Sequence, residues 1–391
     1  MVRRVLGVFA LLSLVAAPGF AQPPAGGGGG RGGRGRGPAV VSPEVGADGS
    51  ITFRLAAPNA QQVTVSGELD GQPHPMTKGA DGIWTVTVGP LTPDVYTYAF
   101  NVDGLSVLDP RNPNTKLGFG AFGAVSVVEV PGNGPQFYDV KDVPHGKVDI
   151  VPYVSKTMGG LARTVWIYTP PGYDKGKDYP VLYLFHGAGD TESGWTLIGR
   201  ANTILDNLIA DGKAKPMVVV MPLGHAMQSF LAGPAKNAPA AQGGNSGDLS
   251  LFAKDLLDDV KPLVEKTYKV STKVDDRAIA GLSMGGGQTM NIAFNRPELF
   301  RYVVLMSAAA GRNPDQVYAT FFSKPDVANK QFKLLWVGVG RDDTLVGPSD
   351  KALDEALTSH GIHHTFELSA GRHEWTVWRH ALNEVAPLLF K

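Results

Sequence analysis

Five stretches of the chain are apolar almost without interruption, and they set what it can fold into. They are Val181–Phe185, Met217–Met221, Ala278–Ala280, Tyr302–Met306 and Leu334–Val339. A strand buried on one face alternates apolar with polar residues, whereas a strand buried on both faces does not. Helix-like stretches separate these runs. One lies near 204–211, one carries Phe252, Leu256, Val260 and Leu263 on a single face, and one lies near 286–295. Such an alternation predicts a mainly parallel sheet covered by helices on both faces, spanning residues 139–391. Two further strands, at 147–155 and 162–169, are expected ahead of the first run.

Residues 41–131 read differently. Short runs of β-forming residues (50–55, 62–65, 83–88, 96–100 and 124–128) are separated by Asp48-Gly49, Asp70-Gly71, Asp81-Gly82 and Asp103-Gly104. Asp-Gly pairs favour tight turns, so this part predicts a small all-β, immunoglobulin-like sandwich. Residues 22–40 are Gly-rich with Arg31, Arg34 and Arg36, and read as a flexible basic linker. Ahead of it, Arg3 and Arg4, the apolar run Val5–Ala17 and the small residues Gly19 and Ala21 predict a signal peptide over 1–21. The run is shorter than the roughly 20 residues of a membrane span. The expected location is therefore periplasmic or secreted, with no membrane attachment after cleavage. Lys plus Arg (36) balances Asp plus Glu (36), which argues against a nucleic-acid partner. Cysteine is absent, which excludes disulfides, thiolate zinc sites and a cysteine nucleophile.

The clearest chemical signal is Gly281-Leu282-Ser283-Met284-Gly285, a G-x-S-x-G pattern between an expected strand and an expected helix. A sharp strand-to-helix turn would lift Ser283 above the sheet, with glycines where no side chain fits. A serine hydroxyl is a weak nucleophile and needs a base, which in turn needs an orienting carboxylate. In such a fold the order is Ser, then Asp or Glu, then His. Asp342 and Asp343 both follow the strand ending at Gly340, and either can be the acid. His373 lies in a Gly-containing loop after the next strand and is the expected base. His360, His363 and His364 fall at a helix end and strand start, and His380 on the last helix. His363-His364 lacks partner ligands at metal-site spacing, so neither metal nor cofactor is expected. An oxyanion needs two backbone donors. Met284 N–H is one. The other is expected in His186-Gly187-Ala188-Gly189, with Ala188 first and Gly187 second; His186 is expected to bond within that loop.

Residues 150–391 resemble the feruloyl esterase branch of carbohydrate esterase family 1, within the esterase D-like group of α/β-hydrolases. The resemblance rests on His186 through Trp195, Leu205 through Ala210, Pro216 through Pro222, Arg277 through Gln288, and Gly371-Arg372-His373-Glu374-Trp375. It implies Ser283 as nucleophile, His373 as base and Asp343 as acid, since Leu345 matches a hydrophobic residue two positions after the family's acid. It also implies Ala188 at the oxyanion position. Asp81–Val88, Tyr96–Phe100 and Asp109-Pro110-Arg111-Asn112-Pro113 look like the glycogen-binding type of carbohydrate module. Together these imply an exported serine esterase that releases hydroxycinnamic acids from plant arabinoxylan, an ester-linked polysaccharide partner. Siderophore and acetyl xylan esterases are the alternatives on this scaffold, and a carbohydrate-binding protein without turnover is the rival of another class. Gly187, Trp195, Trp375 and the loop 223–249 are candidate substrate contacts. Trp84, Tyr96 and Tyr98 are candidates for stacking on sugars, although Trp84 alternates with core positions; the other reading of the sandwich is a packing domain that shapes the active-site rim. The sequence leaves the oligomeric state open.

Overall fold

Alternation of apolar and polar residues folds the N-terminal part into two facing antiparallel sheets. In Ile51–Ala56 the residues Ile51, Phe53 and Leu55 are buried while Thr52 and Arg54 are not, the period-two pattern of a strand with one face on a core. The first sheet runs Glu44–Val45, Ile51–Ala56, Ile83–Val88, Thr77–Lys78; the second runs His74–Pro75, Val63–Gly67, Asp94–Val102, Val125–Val130, Thr115–Lys116, with Leu105–Val107 also on Asp94–Val102. The five runs expected from sequence are all strands, and five further strands of two or three residues complete the sheets. Gly49, Gly71, Gly82 and Gly104 all take positive φ, as tight turns require.

The C-terminal part is an eight-stranded mixed sheet. We label its strands β1 (Lys147–Ser155), β2 (Leu161–Thr169), β3 (Val181–Phe185), β4 (Val218–Pro222), β5 (Arg277–Leu282), β6 (Tyr302–Met306), β7 (Leu334–Gly340) and β8 (Thr365–Ser369). Their spatial order is β1-β2-β4-β3-β5-β6-β7-β8. Strands β3 to β8 pair in parallel, while β1 pairs antiparallel with β2, and β2 with β4. A short turn joins β1 to β2, which permits a hairpin; the parallel strands need crossovers through helices. One core lies on the face covered by 251–267 and Met284–Asn295, around Phe252, Leu256, Met290 and Phe294. The other lies under Ala201–Ala210 and Trp375–Val385, around Leu205, Trp195, Trp378 and Leu382, and it takes in Val95 of the sandwich. The stretch expected as one helix near 252–263 is helical throughout, but Leu256–Val260 winds as a π-turn.

The computed structural model describes residues 40–119, 123–173, 176–229, 231, 233, 236–237 and 249–391. The expected signal peptide and the linker, Val40 apart, lie outside the described residues, as does much of the loop 223–249. No helix among the described residues is long and apolar enough to cross a membrane. Residues 40–391 form one compact unit. The two parts are joined by buried charge. Arg379, on the last helix and fully buried, donates to Asp94 of the sandwich, whose other oxygen meets His380 at 2.8 Å.

Candidate active site

The turn from β5 into the helix Met284–Asn295 holds Ser283 at φ 51°, ψ −118°, a region non-glycine residues rarely occupy. Close packing forces that turn. A Cβ on Gly281 would strike the Gly285 carbonyl, and one on Gly285 would come 2.6 Å from His186 O. Ser283 N–H donates to Met306 O at 2.9 Å, tying the turn to β6.

Three residues from three connections meet above the sheet. His373 Nε2 lies 2.8 Å from Ser283 Oγ, and its Nδ1 lies 2.7 Å from Asp343 Oδ2. Of the two aspartates after β7, Asp343 faces the histidine and its side chain is fully buried, while Asp342 is exposed. Burial pushes the Asp343 carboxyl up, but hydrogen bonds from His373 and from the N–H groups of Val346 and Leu345 outweigh it and hold the group below the usual carboxylate range. A second carboxyl, Asp350, lies nearby and accepts from Ala308 N–H at 2.7 Å; burial raises it to about 7.

The loop after β3 faces Ser283. A Cβ on Gly187 would come 2.7 Å from Leu282 Cδ1 and 3.4 Å from Ser283 Cβ, so only glycine lets the loop approach this closely. Among the described residues, neither Ala188 N–H nor Met284 N–H donates to another protein group. His186 is buried; its Nε2 accepts from Gly224 N–H at 2.8 Å, and its Nδ1 lies 2.8 Å from Gly187 O. Those partners place the proton on Nδ1. Burial pushes this imidazole down to about 3, so it is a neutral brace for the loop.

A cavity of about 240 Å³ opens onto Ser283 and His373. Gly187, Ala188, Leu282, Trp375 and Trp378 line it from the α/β part, and Glu68, Thr97, Lys116 and Val125 line it from the sandwich. Of the two tryptophans singled out from sequence, Trp375 is on the wall. Trp195 is not: it is 1% exposed, donates to Phe185 O at 2.9 Å, and backs Trp375 edge-on at 5.3 Å. The described part of 223–229 buttresses His186 rather than walling the cavity. The aromatic residues that were candidates for stacking on sugars are core residues. Trp84 is 7% exposed with its indole N–H on Ala57 O, Tyr96 donates to Thr92 O, and Tyr98 donates to Asp109.

Sequence reasoning missed three groups. Trp378 stands edge-on to His373 at 5.0 Å, and its position three residues after Trp375 on one helix was a usable signal. Arg163, fully buried, gathers the carbonyls of Leu223, His225 and Met227. Glu68 and Arg372 lock the loop around His373 to the sandwich: Glu68 Oε1 accepts from Trp375 N–H at 2.8 Å, and Arg372 donates to Asp70 O at 2.6 Å. No cluster of three or more metal-binding side chains occurs among the described residues.

A family model described as "Putative esterase" matches residues 155–389, and one described as "Carbohydrate-binding module 48 (Isoamylase N-terminal domain)" matches residues 39–113. The chain is similar to an endo-1,4-beta-xylanase/feruloyl esterase of Xylanibacter ruminicola, 35% identical over 363 residues, which covers 90% of this chain and 46% of that one. The chain spans about half or less of the length of the curated relatives it matches. Among solved structures, a ferulic acid esterase is similar over 62% of this chain and 97% of its own, at 25% identity and a TM-score of 0.52. The enterobactin esterase FES from Shigella flexneri shares the fold over 87% of this chain and 92% of its own, at 18% identity and a TM-score of 0.64.

Proposed function

The chain belongs to the esterase family whose model covers residues 155–389, and from that premise we propose that it is an exported serine carboxylic-ester hydrolase that releases hydroxycinnamic acids from plant cell-wall arabinoxylan. The observation that carries the reading is the hydrogen-bonded chain Asp343–His373–Ser283 at the floor of a cavity with Trp375 on its wall.

The chemistry is a two-step acyl transfer. His373 Nε2 takes the proton of Ser283 as its oxygen attacks the ester carbonyl. Asp343 keeps the imidazole in the tautomer that presents Nε2 to the serine and stabilises the imidazolium that forms. Negative charge on the former carbonyl oxygen falls toward the N–H groups of Met284 and Ala188. Met284 opens its helix, so its N–H is one of the four donors that a helix leaves unpaired. Loss of one such donor costs about 10²–10³ in rate. The alcohol leaves with the proton from His373, and water releases the acid by the reverse sequence. The 35% identity to a feruloyl esterase that is also a xylanase supports the aromatic acyl group and the polysaccharide.

Hydrolysis of methyl ferulate beside p-nitrophenyl acetate, by wild type and Ser283→Ala, tests the reading. Ferulate release that disappears in the variant is expected. Serine-dependent acetate release without ferulate release would move the substrate to acetylated xylan or to a ferric catecholate trilactone, each assayed in turn. Activity that survives Ser283→Ala would overturn the mechanism.

A further inference from the structure

We propose that Lys116, carried by the sandwich, is a positioning residue for ester cleavage: its ion pair with Asp190 fixes the loop His186–Asp190 and so holds the Ala188 N–H where the oxyanion forms. The inference rests on Ser283 as nucleophile and Ala188 as oxyanion donor.

The pair joins the two parts of the molecule at the cavity wall. Lys116 is 7% exposed and Asp190 5%, and both line the cavity that holds Ser283. Burial pushes the Asp190 carboxyl up, against the pull of Lys116 toward the ionised form. A lysine ammonium taken this far out of water is retained only against a closely paired partner. The contact is not a lone one. Three residues on, Phe119 N–H donates to Gly189 O at 2.9 Å, and a Cβ on Gly118 would come 3.1 Å from that same carbonyl. The segment 116–119 thus meets both residues that follow Ala188.

His186 is braced from its own side by Gly224, and the Gly189 N–H reaches His225 Nε2 at 3.3 Å. Those bonds anchor the start of the loop and one amide. The Gly189 carbonyl and the Asp190 carboxylate are held from the sandwich. Lys116 itself is fixed by the pairing of Thr115–Lys116 with Val125–Val130, where it sits opposite Val125, another cavity residue. A backbone donor displaced by about 1 Å loses much of its value to a transition state. Lys116 touches neither serine nor histidine; it acts through the loop.

The test is steady-state kinetics with p-nitrophenyl acetate, a small ester that needs little of the cavity wall. Lys116→Met is expected to lower kcat roughly 10- to 100-fold and to change KM less than about threefold, with circular dichroism unchanged. Lys116→Arg is expected to recover most of the loss. Asp190→Asn probes the pair from the other end and is expected to match Lys116→Met, and the double variant to be no worse than either single one, because both act through one interaction. If Lys116→Met does not fold, Asp190→Asn and Lys116→Arg decide alone. A kcat within about twofold of wild type in Asp190→Asn or in folded Lys116→Met, additive losses in the double variant, or an effect confined to KM overturns the proposal. Ser283→Ala is run alongside. Turnover that survives it removes the site itself, an outcome read separately from the Lys116 arms, and the proposal falls with it.

Discussion

Ser283 holds a backbone conformation that costs on the order of 1–3 kcal/mol for a residue with a Cβ. It is not alone: Ser307 (φ 46°) and Ala309 (φ 49°), just past β6, are also left-handed. Asp350 holds that second strained stretch by accepting from the N–H of Ala308. Its burial-raised pKa gives a signed prediction. A carboxyl whose folded pKa lies above its unfolded value of 3.8 contributes stability that is complete below about pH 4 and lost as pH rises through about 7. Asp350→Asn cannot titrate, so the stability gap between wild type and variant should shift in the variant's favour between pH 4 and pH 8. Thermal unfolding of both proteins across that range checks this, and a gap that does not move with pH would refute it. At this scale much was legible in the sequence. The spacing 281–285 announces the turn because only glycine fits beside a backbone so close to β3. The choice between Asp342 and Asp343 was not readable from spacing, since adjacent residues differ only in which way the fold turns them. Asp350 gave no signal at all; an aspartate on an amphipathic helix reads as solvated.

Among elements, the last helix carries the most varied duties. Trp375 and Trp378 form cavity wall, Leu382 and Val385 fill the core, and Arg379 crosses to the sandwich. Arg379 also donates to Ile198 O at 2.8 Å and lies over the Tyr138 ring. Arg379→Met leaves Asp94 buried with the His380 ring and the Val95 N–H as its remaining partners. Removing one member of a buried pair costs about 3–5 kcal/mol, so a fall of that size in the urea-unfolding free energy is expected. A loss below about 1 kcal/mol would show that the pair contributes little. The strands of the large sheet were readable because both faces are apolar, and β1, β3 and β6 fall where the pattern placed them. Strands of two residues, such as Thr115–Lys116, are too short to show any alternation. An arginine midway along an amphipathic helix reads as solvent-facing, and nothing local discloses a partner 285 residues earlier in the chain. Trp84, Tyr96 and Tyr98 left two readings open, a sugar-binding face or core packing; each occupies a core position with its polar atom bonded inside.

For the molecule as a whole, residues 40–391 form one unit, and polar joints tie its two parts together, among them Lys116 to Asp190, Arg379 to Asp94, Arg372 to the backbone of Asp70 and Glu68 to the backbone of Trp375. Parts tied this tightly should unfold together. Differential scanning calorimetry is expected to give a single transition whose calorimetric and van't Hoff enthalpies agree; two resolved transitions would show that the sandwich melts on its own. The architecture was legible from periodicity in each half separately, but the joint was not, because every bond in it links residues far apart in sequence. That joint has a consequence for exchange of parts. Thr97 and Val125 share a cavity with Ser283 and His373, so the N-terminal piece is no detachable accessory. Were it exchanged for the sandwich of a relative, the recipient is expected to inherit part of that relative's appetite.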